Sequence, residues 1–205
     1  QVLQTLKTME GSDPRYQTVD TLHRFMESVK LAVTDRIEWA GDPDYVTAPL
    51  TGLLSDGYAA VQRKRIDMTT ASDVRGERYA DPAPDNPLRP GDPVKFEGGM
   101  TTHFAVADRD GNVVSVTQTL GGGFGSSVIA GDTGIFLNNM GSYFELDEGS
   151  PNRIGPWKQV DFVVAPTQTF KNGKFHLSIG TPGGFGILQT TPQMLMNVLE
   201  YGMNV

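Results

Sequence analysis

The passage from Pro82 to Pro93 carries five prolines, and Gly91, Gly98 and Gly99 accompany them. Each proline removes a backbone donor and fixes φ, so neither a helix nor an inner strand can run through it. It divides the chain into two stretches of different period. Apolar residues before it recur at helical spacing, and from Thr101 onward they alternate as in strands. The chain is therefore read as α+β. A span of about thirty residues without regular structure, 67–99, is long for a connection inside a compact domain. It suits a tether, or a segment that must move once cut.

In the first stretch, residues 1–17 show weak apolar spacing followed by turn signals at Gly11 and Pro14. A helix is expected from about Asp20 to Trp39. Leu22, Phe25, Met26, Val29 and Val33 would share its buried face, with Thr18 or Asp20 as cap. Gly41-Asp42-Pro43 ends it. His23, in its first turns, reads as a surface residue. A shorter helix follows from about Ser55 to Ile66, and Arg63-Lys64-Arg65 reads as its solvated end.

In the second stretch, Asp110-Gly111 between two apolar runs predicts a hairpin, with strands at 101–108 and 113–120. Phe104 and Val106 would share a face opposite Val114 and Val116. Gly121–Gly125 reads as a flexible loop, and 134–138 as a third strand. Val163–Phe170 and Lys174–Gly180 form a second expected hairpin around Lys171-Asn172-Gly173. Thr181-Pro182-Gly183-Gly184 breaks it. A helix from about Leu188 to Tyr201 follows, with Leu188, Met194, Leu195, Val198 and Leu199 inward and Gly202 as cap.

Composition narrows the chemistry. The chain has no cysteine, which removes disulfides, thiolate catalysis and Cys-based metal sites. Seventeen basic residues against 24 acidic ones, with no basic run beyond one triplet, argue against nucleic acid and anionic membranes as partners. No apolar run approaches the length of a membrane-spanning helix. No metal-ligand spacing and no phosphate-binding glycine signature occur, so neither metal nor cofactor is expected.

The candidate nucleophile is Thr101. A threonine hydroxyl needs a base, and an N-terminal threonine carries one in its own α-amine, whose unperturbed pKa is about 8. This requires a cut between Met100 and Thr101, and Gly98-Gly99 would let the backbone take the strained path to it. On local composition alone a glycine hinge before a strand stands as the alternative. Gly183 and Gly184 could turn two N–H groups toward an oxyanion, or form only a tight strand-to-helix turn. With three histidines in the chain, a Ser-His-Asp triad has little support.

Taken in order, these residues resemble the γ-glutamyltransferase (glutathione hydrolase) family. The resemblance rests on Thr101-Thr102-His103-Phe104, Asp110-Gly111-Asn112 with Val114-Ser115-Val116-Thr117, and Phe124-Gly125-Ser126. Thr133-Gly134-Ile135, Leu137-Asn138-Asn139, Ala165-Pro166-Thr167, Pro182-Gly183-Gly184 and Tyr201-Gly202-Met203-Asn204 continue it. Upstream, Lys30-Leu31-Ala32, Asp35-Arg36 and Gly41-Asp42-Pro43 resemble the end of the family's large subunit, so the likeness covers about 20–205.

The resemblance implies an N-terminal-nucleophile hydrolase fold, two sheets sandwiched between helices in an αββα order, here in part. It implies autocleavage into a large-subunit piece, 1–100, helical and ending in the Pro/Gly-rich linker, and a β-rich small-subunit piece, 101–205. The two pieces would stay together as a heterodimer acting on a small-molecule amide or peptide. By motif position Thr101 is the nucleophile, Thr119 the threonine that hydrogen-bonds the nucleophile's end, and Gly183 and Gly184 the oxyanion pair. The family's large subunit is several times longer and carries a substrate-binding arginine absent here, and its small subunit normally continues past Val205. A fragment or a reduced protein is therefore expected. The residues fix no compartment, and the resemblance, to a family often exported, is compatible with a periplasmic or secreted protein.

Three positions depart from the family's pattern. Its substrate asparagine reads Gly121. Its Gln-x-x-Asp, whose acid grips the glutamyl α-amine, reads Met140-Gly141-Ser142-Tyr143. Its Ser-Ser, which binds the α-carboxylate, reads Phe162-Val163. Losing a charge-assisted hydrogen bond costs about 1.5–3 kcal/mol. The expected acyl donor is therefore a less polar or smaller group than γ-glutamyl. The competing expectation is a non-catalytic relative that keeps the fold for binding or assembly.

Overall fold

A computed structural model describes residues 1–7, 18–72 and 101–204. The linker expected at 67–99 is described only as far as Ser72, and Met100, Gly98 and Gly99 lie outside the described residues. The chain forms two compact units, one drawn from Gln1–Asp92 with Leu146–Gln159, the other from Pro93–Glu145 with Val160–Val205.

The first unit is helical. Its elements are α1 (Val2–Lys7), α2 (Val19–Trp39), α3 (Leu50–Leu53) and α4 (Asp56–Lys64). α1 and α3 were not expected, because six and four residues are too few to show a period. Of the two cap candidates for α2, Thr18 serves, its hydroxyl accepting the Thr21 N–H at 3.1 Å. Ser55 caps α4 in the same way.

The buried face of α2 differs from the expected one. Phe25, Val29 and Leu31 are buried, whereas Leu22 and Met26 are exposed. The helix turns to bury polar groups that apolar spacing does not register. Asp35 accepts the Tyr58 hydroxyl at 2.9 Å and the Gln62 amide at 2.8 Å, both from α4. Residues 146–159 are fastened to the turn after α2. The Gln159 N–H meets Asp42 Oδ2 at 2.6 Å and the Tyr45 hydroxyl donates to Pro156 O at 2.9 Å. The Gln159 bond, with that from Asp44 N–H, holds the Asp42 carboxyl below its usual range.

The second unit carries two antiparallel hairpins and a helix. β1 (Thr101–Ala107) pairs with β2 (Val113–Thr119), and β3 (Thr167–Lys171) pairs with β4 (Lys174–Ile179). Asp108 builds the first turn, its Oδ1 accepting the N–H groups of Asp110 and Asn112, each at 2.9 Å. Hydrogen bonds from Asn112 hold that carboxyl below its usual range. The turn sets the register Thr101↔Thr119, His103↔Thr117 and Ala105↔Ser115. Phe104 and Val106 do lie opposite Val116 and Val114.

Other expectations are corrected. The third strand at 134–138 reduces to a single bridge, Ile129 to Phe136. β3 begins at Thr167 rather than Val163, since Pro166 has no N–H to give a ladder. α5 (Ile187–Leu199) buries Ile187, Thr191 and Leu195, while Leu199 is exposed. It is preceded by a 3-10 turn at Gly184–Gly186 and ends at Glu200, with Gly202 two residues beyond at φ +65°. No described helix is long and apolar enough to cross a membrane.

Candidate active site

The two hairpins meet through their small polar residues. Ser178 Oγ of β4 lies 2.9 Å from Ser115 Oγ of β2, at the level of Ala105 on β1. Two residues further along the chain, just past the end of β4, Gly180 lies against the His103 ring, whose Nδ1 is 2.9 Å from Thr117 Oγ1. This advance, two residues on each side, carries the chain after β4 toward the level of Thr101. Gly183 and Gly184, in the turn that follows, take φ of +135° and +55°.

Gly180 is needed for that approach, because any Cβ would overlap the imidazole of His103. Overpacking of this kind costs about 1–3 kcal/mol. Gly180→Ala is expected to lower the unfolding free energy by that order, read as a lower urea midpoint, and His103→Ala to restore part of the loss in the double variant. Additive losses in the two variants would refute the contact.

Thr101 sits at the start of β1. Its hydroxyl donates to Thr119 Oγ1 at 3.0 Å, and the Gly121 N–H donates to the same oxygen at 2.9 Å. Thr119 Oγ1 accepts twice, so its own O–H is spent on neither contact. Gly121 takes φ +87°, and a Cβ there would overlap Asn139 Oδ1. That carbonyl accepts the Gly122 N–H at 2.9 Å, and the Asn139 N–H returns to Leu120 O at 3.0 Å. The glycine loop after β2 is thus clamped, where a flexible loop was expected.

From Asn139 the chain enters a 3-10 turn, Met140–Tyr143. Met140 is buried, and the Tyr143 ring stacks on Phe185 with centroids 5.3 Å apart and planes 23° from parallel. Phe185 belongs to the turn that begins at Gly184. Contacts and chain links thus form a circuit that starts at Thr101 and runs through Thr119, Gly121, Asn139, Tyr143, Phe185, the glycine pair, Gly180 and His103. Thr101, Thr119, Gly121, Met140, Tyr143, Gly183 and Gly184 are all on it or directly attached to it. Phe162 and Val163 have no described contact that joins them to the circuit, with Val163 buried and Phe162 partly exposed.

Sequence reasoning missed Asn139 as a clamp, Gly180 as a contact and Phe185 as a wall. An aromatic residue directly after the two glycines was the available signal for Phe185. Among the described residues no group of His, Asp or Glu side chains could hold a metal ion.

A family model described as gamma-glutamyltranspeptidase matches residues 1–205. The glutathione hydrolase proenzyme of Escherichia coli is 35% identical over 217 residues, covering 100% of this chain and 36% of its own length. The acylase ACY 1 proenzyme of Pseudomonas sp. strain SE83 is 31% identical, covering 100% of this chain and 34% of its own. Among solved structures, the cephalosporin acylase of Bacillus halodurans superposes with a TM-score of 0.79 at 31% identity, covering 99% of this chain and 33% of that one. The chain thus spans about a third of the length of the relatives it matches.

Proposed function

The chain belongs to the gamma-glutamyltranspeptidase family, with part of the α+β fold of N-terminal nucleophile hydrolases, and on that premise we propose that it is an autoprocessed amide hydrolase or acyltransferase with Thr101 as nucleophile. The observation that carries the reading is the Thr101–Thr119 hydrogen bond, closed by the Gly121 N–H at the start of β1. Cleavage between Met100 and Thr101 frees the Thr101 α-amine. That amine takes the hydroxyl proton as Oγ1 attacks the amide carbonyl carbon. The Thr119 oxygen then no longer accepts from Thr101, and its O–H donates to Thr101 Oγ1 as the proton leaves. The N–H groups of Gly183 and Gly184 hold the oxyanion. Collapse transfers the proton to the leaving amine and leaves an ester on Thr101. Water or an acceptor amine then releases the acyl group and restores the hydroxyl.

Residues 1–100 would form the end of the large subunit and 101–205 the start of the small one, held together as a heterodimer. Two relatives named as proenzymes, the Escherichia coli glutathione hydrolase and ACY 1, support processing. An acyl group other than γ-glutamyl fits Tyr143 and Phe162 at the positions where the glutamyl-gripping groups are expected. The names of ACY 1 and the Bacillus halodurans enzyme, both acylases, support that width of substrate within the family. Intact mass and N-terminal sequencing test the reading. Pieces of 100 and 105 residues (205 − 100 = 105), the second beginning Thr-Thr-His, are expected. A single uncut chain that nevertheless hydrolyses amides would remove Thr101 from the nucleophile role.

A further inference from the structure

We propose that Tyr143 and Phe185 form the wall on which the acyl group lies, and that the site selects a flat aromatic acyl group, such as an arylacetyl amide. The proposal rests on the reading of Thr101 as nucleophile and names the substrate class of that same site.

Three observations carry it. First, Phe185 follows directly on Gly184, one of the two glycines assigned to the oxyanion, and stacks on Tyr143. An acyl group esterified to Thr101, with its oxygen toward the glycine pair, has its side chain beside these rings. Second, Phe185 is 58% exposed although Tyr143 covers part of it. Among the described residues, Phe185 therefore keeps a surface on which a further ring can lie. Offset stacking favours another aromatic over an aliphatic group of equal size, by about two- to tenfold in affinity. Third, among its described residues the second unit brings no lysine or arginine to this end. Among the described residues of the second unit, the lysines and arginines are Arg109, Lys171 and Lys174. All three flank or occupy the hairpin tips. Seven strand residues, roughly 20 Å, separate the Arg109 tip from Thr101.

The test separates binding from turnover. Phenylacetamide and cyclohexylacetamide, matched in size, are titrated by NMR into the Thr101→Ala protein and into Thr101→Ala/Phe185→Leu. Phenylacetamide is expected to bind about two- to tenfold more tightly in the first. The difference is expected to vanish in the second. Equal affinities in the first protein, or a preference that survives Phe185→Leu, overturn the aromatic wall. In parallel, phenylacetyl and cyclohexylacetyl p-nitroanilides are offered to the parent chain and to Phe185→Leu. A collapse of the kcat/KM ratio toward one in Phe185→Leu supports the wall. A parent chain that turns over neither anilide, yet whose Thr101→Ala form shows the binding preference, rejects the nucleophile reading and leaves the wall standing.

Discussion

Thr101→Ala is expected to remain a single chain of 205 residues and to lose amide hydrolysis by roughly 10³-fold or more. The substitution removes the oxygen that attacks in both reactions, the cut at Met100–Thr101 and the later turnover. It leaves Thr119 and the Gly121 N–H in place, so folding is expected to persist, as circular dichroism and the urea midpoint would report. Thr101→Ser separates the roles. It keeps the hydroxyl but loses the methyl that stiffens χ1, so cutting is expected to continue more slowly, with turnover reduced by about tenfold. In the cut protein the rate is expected to rise with pH as the α-amine loses its proton near pH 8. Mass spectrometry over a time course follows the cut and an anilide assay follows turnover. Processing of Thr101→Ala at the parent's rate would sink the assignment.

The partner of Thr101 was legible because a short turn fixes hairpin register. Once Asp108–Asn112 is the turn, Thr119 must face Thr101 and Thr117 must face His103, and the ladder places them so. The glycine pair was legible for a related reason, since Pro182-Gly183-Gly184 can continue neither a strand nor a helix. The stack was hidden. Tyr143 and Phe185 are 42 positions apart (185 − 143 = 42), and no local pattern announces that two 3-10 turns will meet. The 134–138 segment misled in the opposite direction. Ile135 and Leu137 alternate like a strand, but both are exposed and only Phe136 finds a bridge. Residues 126–130 do bond to this segment through the backbone, but φ is positive at Ser127 and Gly131, so no regular ladder continues past the one bridge. In α2 the error was one of kind. Apolar spacing registers only apolar residues, while Glu27, Ser28 and Asp35 hold buried positions through hydrogen bonds.

Tyr143→Asp is expected to raise kcat/KM for a γ-glutamyl anilide by roughly 10- to 150-fold, the equivalent of about 1.5–3 kcal/mol for a charge-assisted hydrogen bond. The carboxylate would stand where the family's Gln-x-x-Asp places its acid and would face the ammonium of the glutamyl group. The same change removes the ring that stacks on Phe185, so turnover of the phenylacetyl anilide is expected to fall by about two- to tenfold. The two substrates therefore move in opposite directions, which a general loss of structure cannot produce. Tyr143→Asn is the control, because it also breaks the stack but brings no charge. The γ-glutamyl gain is expected only above about pH 4, where the new carboxyl is ionised. Phe162 and Val163 limit the gain, since neither can hydrogen-bond the α-carboxylate, and adding Phe162→Ser and Val163→Ser should extend it. If Tyr143→Asp and Tyr143→Asn treat the γ-glutamyl anilide alike, position 143 does not face the α-amine, and the exclusion of glutamate must come from elsewhere in the site.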